Sequence, residues 1–286
     1  MKNIGKSIRS RLLNIKDTSS HNYMYLLSRY FNERLLYRVS ISQFKDSLIL
    51  KGGSLIYAFE GLSSRPTVDI DFLAKNISRE REELTNVILE ILNIECPNDG
   101  VTFDTENIKF APIAIDKKYP GSRFMFHAYL DTIVFPMSID IGFGDVISNG
   151  PISINYPMIL DGLPPISLKA YSVETLVAEK FHTMIDRDIS NSRMKDYFDC
   201  YQLIRHNHLE SIKLQQAIEQ TFANRGLLNK PQALLFSTEF SMDNSLKQQW
   251  QSFLRKIKYP ETIDFSVVVK TILDVLLPKA EKFWQR

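Results

Sequence analysis

Only two of the 286 residues are cysteine, Cys96 and Cys200, too few for a disulfide framework or a cysteine-ligated zinc site. Such sparse thiol usage predicts a reducing, cytoplasmic setting. Neither sign of charge is in excess. With 35 Lys and Arg against 33 Asp and Glu the formal charge is +2, so a nucleic-acid partner would have to be met by a local patch. No stretch approaches the ~18 uninterrupted apolar residues of a membrane span, and the charges at Lys2 and Lys6 have no apolar segment behind them. Neither membrane insertion nor secretion is expected. The histidines (His21, His127, His182, His206 and His208) show no metal-ligand spacing, and no Ser/His/Asp or Cys/His arrangement is visible. His182 is expected on a solvated helix face. No repeat of fixed period occurs.

What is present is ample apolar material, 44% of the chain with 18 Phe and 12 Tyr, enough for one large domain or two lobes. Residues 1–48 have helical periodicity, with Ile8, Leu12, Leu13 and Ile15, then a cap signal at Asp17-Thr18-Ser19-Ser20, then Tyr23, Leu26, Leu27, Tyr30, Phe31 and Leu35. The basic residues Lys2, Lys6, Arg9, Arg11 and Lys16 fit a solvated helix face better than an RNA-facing stripe. Short strand and turn signals follow: a strand Leu48-Ile49-Leu50, a helical stretch from Leu55 to Phe59, a strand over 67–72, a charged helix at 78–93, and strands at 101–104, 107–115, 123–135 and 137–143. After Pro164-Pro165, apart from an apolar lead-in at Ile166 and Leu168, the pattern is helical at 172–187, 194–206, 209–223, 229–235, 244–255 and 265–283. The expected fold is mixed α/β, with an α/β lobe over residues 1–164 and an all-helical lobe over 165–286.

In Val68-Asp69-Ile70-Asp71-Phe72 the two-residue period puts the apolar side chains on one face and both carboxylates on the other. Two like charges at that separation cost free energy unless a cation lies between them, and hard divalent ions with oxygen ligands supply one. Upstream, Lys51-Gly52-Gly53-Ser54 follows a short apolar strand and opens a helix, where backbone N–H groups and a hydroxyl can meet a phosphate. Each half has a plainer explanation: Asp-x-Asp is common on surfaces, and a strand-to-helix turn needs glycine for conformational reasons alone.

In combination, Leu50-Lys51-Gly52-Gly53-Ser54 with Arg65, Thr67, Asp69, Ile70 and Asp71 resembles the polymerase β-like nucleotidyltransferases. More narrowly it is similar to the AbiEii family, to which the MenT-type toxins of abortive-infection and toxin–antitoxin systems are related. The resemblance covers roughly residues 20–205. It implies a third carboxylate on a neighbouring strand. Asp140 in Met137-Ser138-Ile139-Asp140-Ile141-Gly142-Phe143 is the candidate, being opposite a row of apolar residues. Asp145 competes but sits in a Gly-Asp turn signal, and Asp131 also lies among strand-like residues.

The helix over 172–187 carries Val173, Leu176, Val177 and Met184 on one stripe, with Lys180 in its middle. An inward lysine needs an anion, or it snorkels to the surface along its stem. Ala178-Glu179-Lys180 looks like the family's second motif, whose lysine is assigned to nucleotide phosphates. Arg193-Met194-Lys195-Asp196-Tyr197-Phe198-Asp199 opens the next helix and puts Asp196 and Asp199 on one face, where a helix N-terminus alone would also favour acids. The string resembles the family's Arg-x-Lys-Asp-x-x-Asp motif, which implies Asp196 at the active cleft, paired with Lys180. Arg193 and Lys195 become candidates for phosphate or RNA contact.

The resemblance therefore implies a nucleotidyltransferase toxin using a nucleoside triphosphate (NTP). Asp69, Asp71 and Asp140 would hold Mg²⁺, or Mn²⁺ in its place; Gly52, Gly53 and Ser54 the triphosphate; and Lys180 the β/γ phosphates. The implied acceptor is RNA, the tRNA 3′ end, and the implied partner a cognate antitoxin protein. Two alternatives stand beside it: phosphoryl transfer to a protein hydroxyl, with Ser54 a conceivable acceptor, and a nucleotide- or RNA-binding module without turnover. The basic residues Arg255, Lys256, Lys258, Lys279, Lys282 and Arg286 fit ordinary surface better than an RNA groove.

Overall fold

The computed structural model describes residues 3–19, 21–113, 121–190 and 193–285. Lys2, Ser20, Ala114, Ile115 and Arg286, which enter the sequence analysis, lie outside the described residues. The chain divides into two compact units, one of residues 1–144 and 152–170, the other of residues 145–151 and 171–286. No described helix is long and apolar enough to cross a membrane.

In the first unit, α1 (Ile4–Thr18) and α2 (Tyr23–Ile41) each start from an asparagine whose side chain accepts from the amide three residues on, Asn3 from Lys6 and Asn22 from Tyr25. The cap of α2 is thus Asn22 rather than a residue of the 17–20 signal. Strands β1 (Leu48–Lys51), β2 (Asp69–Ala74), β3 (Val101–Phe103), β4 (Lys109–Ile113), β5 (Gly121–Leu130), β6 (Ile133–Gly142), β7 (Ile152–Tyr156) and β8 (Ile166–Ala170) form one mixed sheet. Its order is β3-β5-β6-β2-β1-β8-β7, with β4 also on β5. Helix α3 (Gly52–Glu60) joins β1 to β2, and α4 (Arg81–Leu92) follows β2.

Three differences from the sequence expectations have local causes. The break between the two central strands falls at Asp131-Thr132, not near Pro136. Asp131 adopts the left-handed conformation (φ +54°) that a short polar side chain tolerates, and β6 runs on through Pro136, which pairs with His127. The lead-in at Ile166 and Leu168 is a full strand, β8, parallel to β1 and antiparallel to β7, so the sheet continues past the di-proline. The helix expected over 229–235 is a coil ending in a short 3-10 turn, Leu234–Phe236, because Pro231 disfavours helical backbone in the residue before it.

The apolar row Phe135, Met137, Ile139 and Ile141 of β6 is buried, and Phe31 of α2 stacks on Phe135 with ring centroids 5.0 Å apart. Helix α2 therefore covers the sheet face opposite to that of Asp140. The same helix buries Arg29, Asn32, Glu33, Arg34 and Arg38 as well as its apolar stripe. Guanidinium planes lie over aromatic rings, Arg29 over Tyr57, Arg34 over Tyr37 and Arg38 over Phe103, at 4.8–5.6 Å from the centroids. Arg38 also bonds Asp99 at 2.8 Å and the carbonyls of Ile94 and Val101.

The second unit is helical: α5 (Val173–Arg187), α6 (Met194–His206), α7 (Ser211–Asn224), α8 (Thr238–Met242), α9 (Asn244–Ile257) and α10 (Phe265–Trp284). Helix α5 packs against both α6 and α7, and α10 against α6 and α7. His182 is consequently buried, its ring edge-on to Phe222 of α7, and not solvated as its helical position suggested.

Burial pushes the Glu33 carboxyl up to about 8, against the opposing pull of the Ile159 amide it accepts from and of Arg34 and Arg29. Between the usual glutamate value and about 8, the folded chain keeps a proton that the unfolded chain has released. This contribution to stability is therefore present at low pH and lost as pH rises through that window. Urea unfolding at pH 5 and pH 8 is expected to show Glu33→Gln gaining on the wild type by on the order of 2–4 kcal/mol over the interval. A pH-independent difference would contradict the assignment.

Candidate functional site

Strands β2 and β6 are parallel neighbours in a register that sets Asp71 beside Asp140 and Asp69 beside Ser138. Directly registered residues share a sheet face, so Asp69, Asp71 and Asp140 all rise from the side opposite Ile70, Phe72, Ile139 and Ile141. Asp131 is not among them. It sits at the hairpin turn, 2.6 Å from Arg9. Asp145 belongs to the second unit, where it accepts from Arg225 at 2.8 Å.

The glycine turn is pressed against this row. Gly52 has φ +67°, and a Cβ there would overlap the Asp71 carboxylate, so both conformation and space demand glycine. A Cβ on Gly53 already stands 2.7 Å from the Thr67 hydroxyl. Lys51 gives α3 no side-chain cap, leaving the first turn with the positive end of the helix dipole and amides unmatched within the helix, an arrangement suited to phosphate. Ser54 is fully buried and its hydroxyl donates to the Asp69 carbonyl at 3.1 Å. That hydroxyl ties α3 to β2 and is not presented as a phosphoryl acceptor.

Two groups that sequence reasoning did not single out complete the picture. The Ser138 hydroxyl donates to Asp69 Oδ1. Arg123 of β5, opposite Asp140 across the hairpin, grips both of its oxygens, Nε to Oδ1 at 2.7 Å and Nη2 to Oδ2 at 2.6 Å, and lies 3.8 Å from Asp69 Oδ2. The Asp140 hydrogen bonds raise the Arg123 pKa, with the charges of Asp140, Asp69 and Asp71 adding to them against partial desolvation. Among the described residues no three His, Cys, Asp or Glu side chains are gathered as a ready-made metal cage. The donor chemistry nonetheless fits a hard divalent cation, since the carboxylates are oxygen ligands and already hold a positive group.

In the second unit Lys180 is buried. Its Nζ lies 3.0 Å from Asp196 Oδ1 and 2.8 Å from Asp199 Oδ2, so the lysine meets anions and does not snorkel. Arg193 Nε reaches Asp196 Oδ2 at 2.8 Å. Burial works to raise the Asp196 carboxyl, but the charges of Lys180 and Arg193 and the Lys180 hydrogen bond together hold it below the usual carboxylate range.

The family model for the AbiEii toxin, a nucleotidyl transferase of type IV toxin–antitoxin systems, matches residues 34–275. The chain belongs to the AbiEii family. JHP933 from Helicobacter pylori shares the fold, with a TM-score of 0.53 at 14% identity over 92% of this chain and 95% of that one. A second H. pylori protein, named as a candidate nucleotidyltransferase, gives 0.52 at 14% identity over 93% and 98%. No curated protein matches the chain in sequence.

AbiEii membership makes the chain a nucleotidyltransferase toxin with an NTP substrate and an antitoxin partner. Within the AbiEii fold the first unit brings together Gly52, Gly53, Ser54, Asp69, Asp71 and Asp140, and the second brings together Lys180, Arg193 and Asp196.

Replacing Lys180 by Met leaves Asp196 and Asp199 buried without their shared cation. The expected loss is about 3–5 kcal/mol in urea unfolding, the scale for breaking a buried ion pair. Adding Asp199→Asn to that variant should restore part of it; no recovery would mean that Asp199 is not a partner of the lysine charge.

Proposed function

We propose that this AbiEii toxin is a Mg²⁺-dependent enzyme that transfers a nucleoside monophosphate from an NTP to the 3′ end of tRNA, blocking translation in the cytoplasm until its antitoxin intervenes. The observation that carries the reading is the register of β2 and β6, which makes Asp71 and Asp140 nearest neighbours beside Asp69, against a glycine turn that leaves no room for a Cβ.

Asp69, Asp71 and Asp140 would hold the metal, which when bound lowers the pKa of the attacking hydroxyl and stabilises charge on the departing pyrophosphate. The amides of Gly52, Gly53 and Ser54 at the start of α3 bind triphosphate oxygens and fix the chain of phosphates for in-line attack. The acceptor hydroxyl oxygen bonds to the α-phosphorus as the bond from that phosphorus to the bridging oxygen breaks. The hydroxyl proton passes to a carboxylate of the set, Asp140 being our choice. Lys180 is a compact cation for the β/γ phosphates, and Arg193 contacts phosphate or RNA. Base selectivity is a matter of pocket shape and follows from none of these groups.

The test is incubation with Mg²⁺, each α-³²P-labelled NTP and bacterial tRNA. Label on tRNA is expected from the wild type and from neither Asp69→Ala nor Asp71→Ala, with both variants folded by circular dichroism. An active, folded Asp69→Ala protein sinks the proposal.

A further inference from the structure

Arg123 occupies both oxygens of Asp140. A bidentate guanidinium takes one lone pair on each oxygen and sets a positive charge against the carboxylate, so a hard divalent cation at Asp140 competes with it for ligand sites and is repelled by its charge. Packing holds the acid of this pair more than the base: the Asp140 side chain is 13% exposed, whereas that of Arg123 is 35% exposed and has room to turn away. Once displaced, a guanidinium at the rim of the aspartate row has its fork free for another planar or tetrahedral oxyanion, and a phosphate presents one.

We propose that Arg123 is a two-position residue: it closes Asp140 against divalent metal in the empty enzyme, and turns to the triphosphate when metal and nucleotide arrive together. The inference rests on the nucleotidyltransferase reading and adds to it an ordering of ligands. Metal alone binds weakly, because it must break the Arg123–Asp140 pair without compensation. Metal with NTP binds well, because the freed guanidinium finds a new partner.

The test uses the full chain and isothermal titration with Mn²⁺ alone, then with the α,β-methylene analogues of the four NTPs in the presence of Mn²⁺. Arg123→Gln is expected to bind Mn²⁺ alone at least tenfold more tightly than the wild type and to bind the nucleotide analogue at least tenfold more weakly. Arg123→Lys keeps the charge but loses the fork, and should lie between the two in both titrations. Circular dichroism and urea unfolding establish that each variant is folded; if Arg123→Gln is not, the Lys variant alone carries the comparison with wild type. Equal Mn²⁺ affinities in wild type and variant, or nucleotide binding that survives the substitution, overturn the inference. NMP transfer is scored in parallel. Unchanged Mn²⁺ affinity beside intact wild-type transfer removes Arg123's role alone, whereas no transfer and no Mn²⁺ binding in any variant removes both proposals.

Discussion

Carboxylates on adjacent strands repel, and the first unit is built around that repulsion. At a strand spacing near 4.8 Å and an effective dielectric of 20, two full charges oppose each other by about 3 kcal/mol. The register answers this across four strands. Lys51 on β1 is set opposite Asp71 on β2, Asp71 beside Asp140 on β6, and Asp140 opposite Arg123 on β5. The two acids stand in the middle of the row with a basic residue at either end. Since a one-residue slip in any pairing would send a member of the row to the apolar face under α2, the same register that fills the core also assembles the charge pattern.

The turn between β1 and β2 is constrained by the same row. Asp71 leaves no space for a side chain at residue 52, so the chain must enter α3 through glycine, and a left-handed glycine there aims the helix N-terminus along the aspartate side of the sheet. The return leg is held from both sides. Ser54 donates to the Asp69 carbonyl, while Ser28 and Arg29 of α2 donate to the Thr67 carbonyl at 3.2 and 2.7 Å. Buried polar groups of α2 thus position the strand that bears the carboxylates. A helix that reads as an apolar stripe in sequence is also a clamp on the site.

Most of this architecture was legible because it depends on short-range patterns. Alternation placed Asp69, Asp71 and Asp140 on polar faces, and helical spacing put Lys180 on a buried stripe and Asp196 with Asp199 on one face; that Asp196 pairs with Lys180 came from the family resemblance, and the Asp199 contact from the structure alone. Arg123 was not legible, although its own strand alternates cleanly with Phe124 and Phe126 buried. Its partner is defined only by distance from the hairpin turn, and the turn is made by Asp131-Thr132, which lack the glycine signal that marks such corners. With the turn assigned near Pro136 the pairing of Arg123 with Asp140 disappears. His182 was misplaced for a related reason: periodicity tells which residues share a face, but not how many faces are covered, and α5 is packed by both α6 and α7.

The second unit solves a different electrostatic problem. A single acid would neutralise Lys180, yet two are supplied, and the surplus negative charge is met by Arg193, whose side chain is 42% exposed. The four groups sum to zero formal charge while burying the lysine, so the free energy of taking Lys180 out of water is offset locally. Asp199, the more deeply buried acid, bonds Lys180 from one side, and Asp196 shares its two oxygens between Lys180 and Arg193. Asp196 therefore couples an inner cation to an outer one. An anion that drew Arg193 away would leave Lys180 with both carboxylates, whereas one that drew Lys180 itself would have to break two buried bonds. Of the two cations Arg193 is the more exposed and the less tightly held, and Lys180 the one whose position is set in advance.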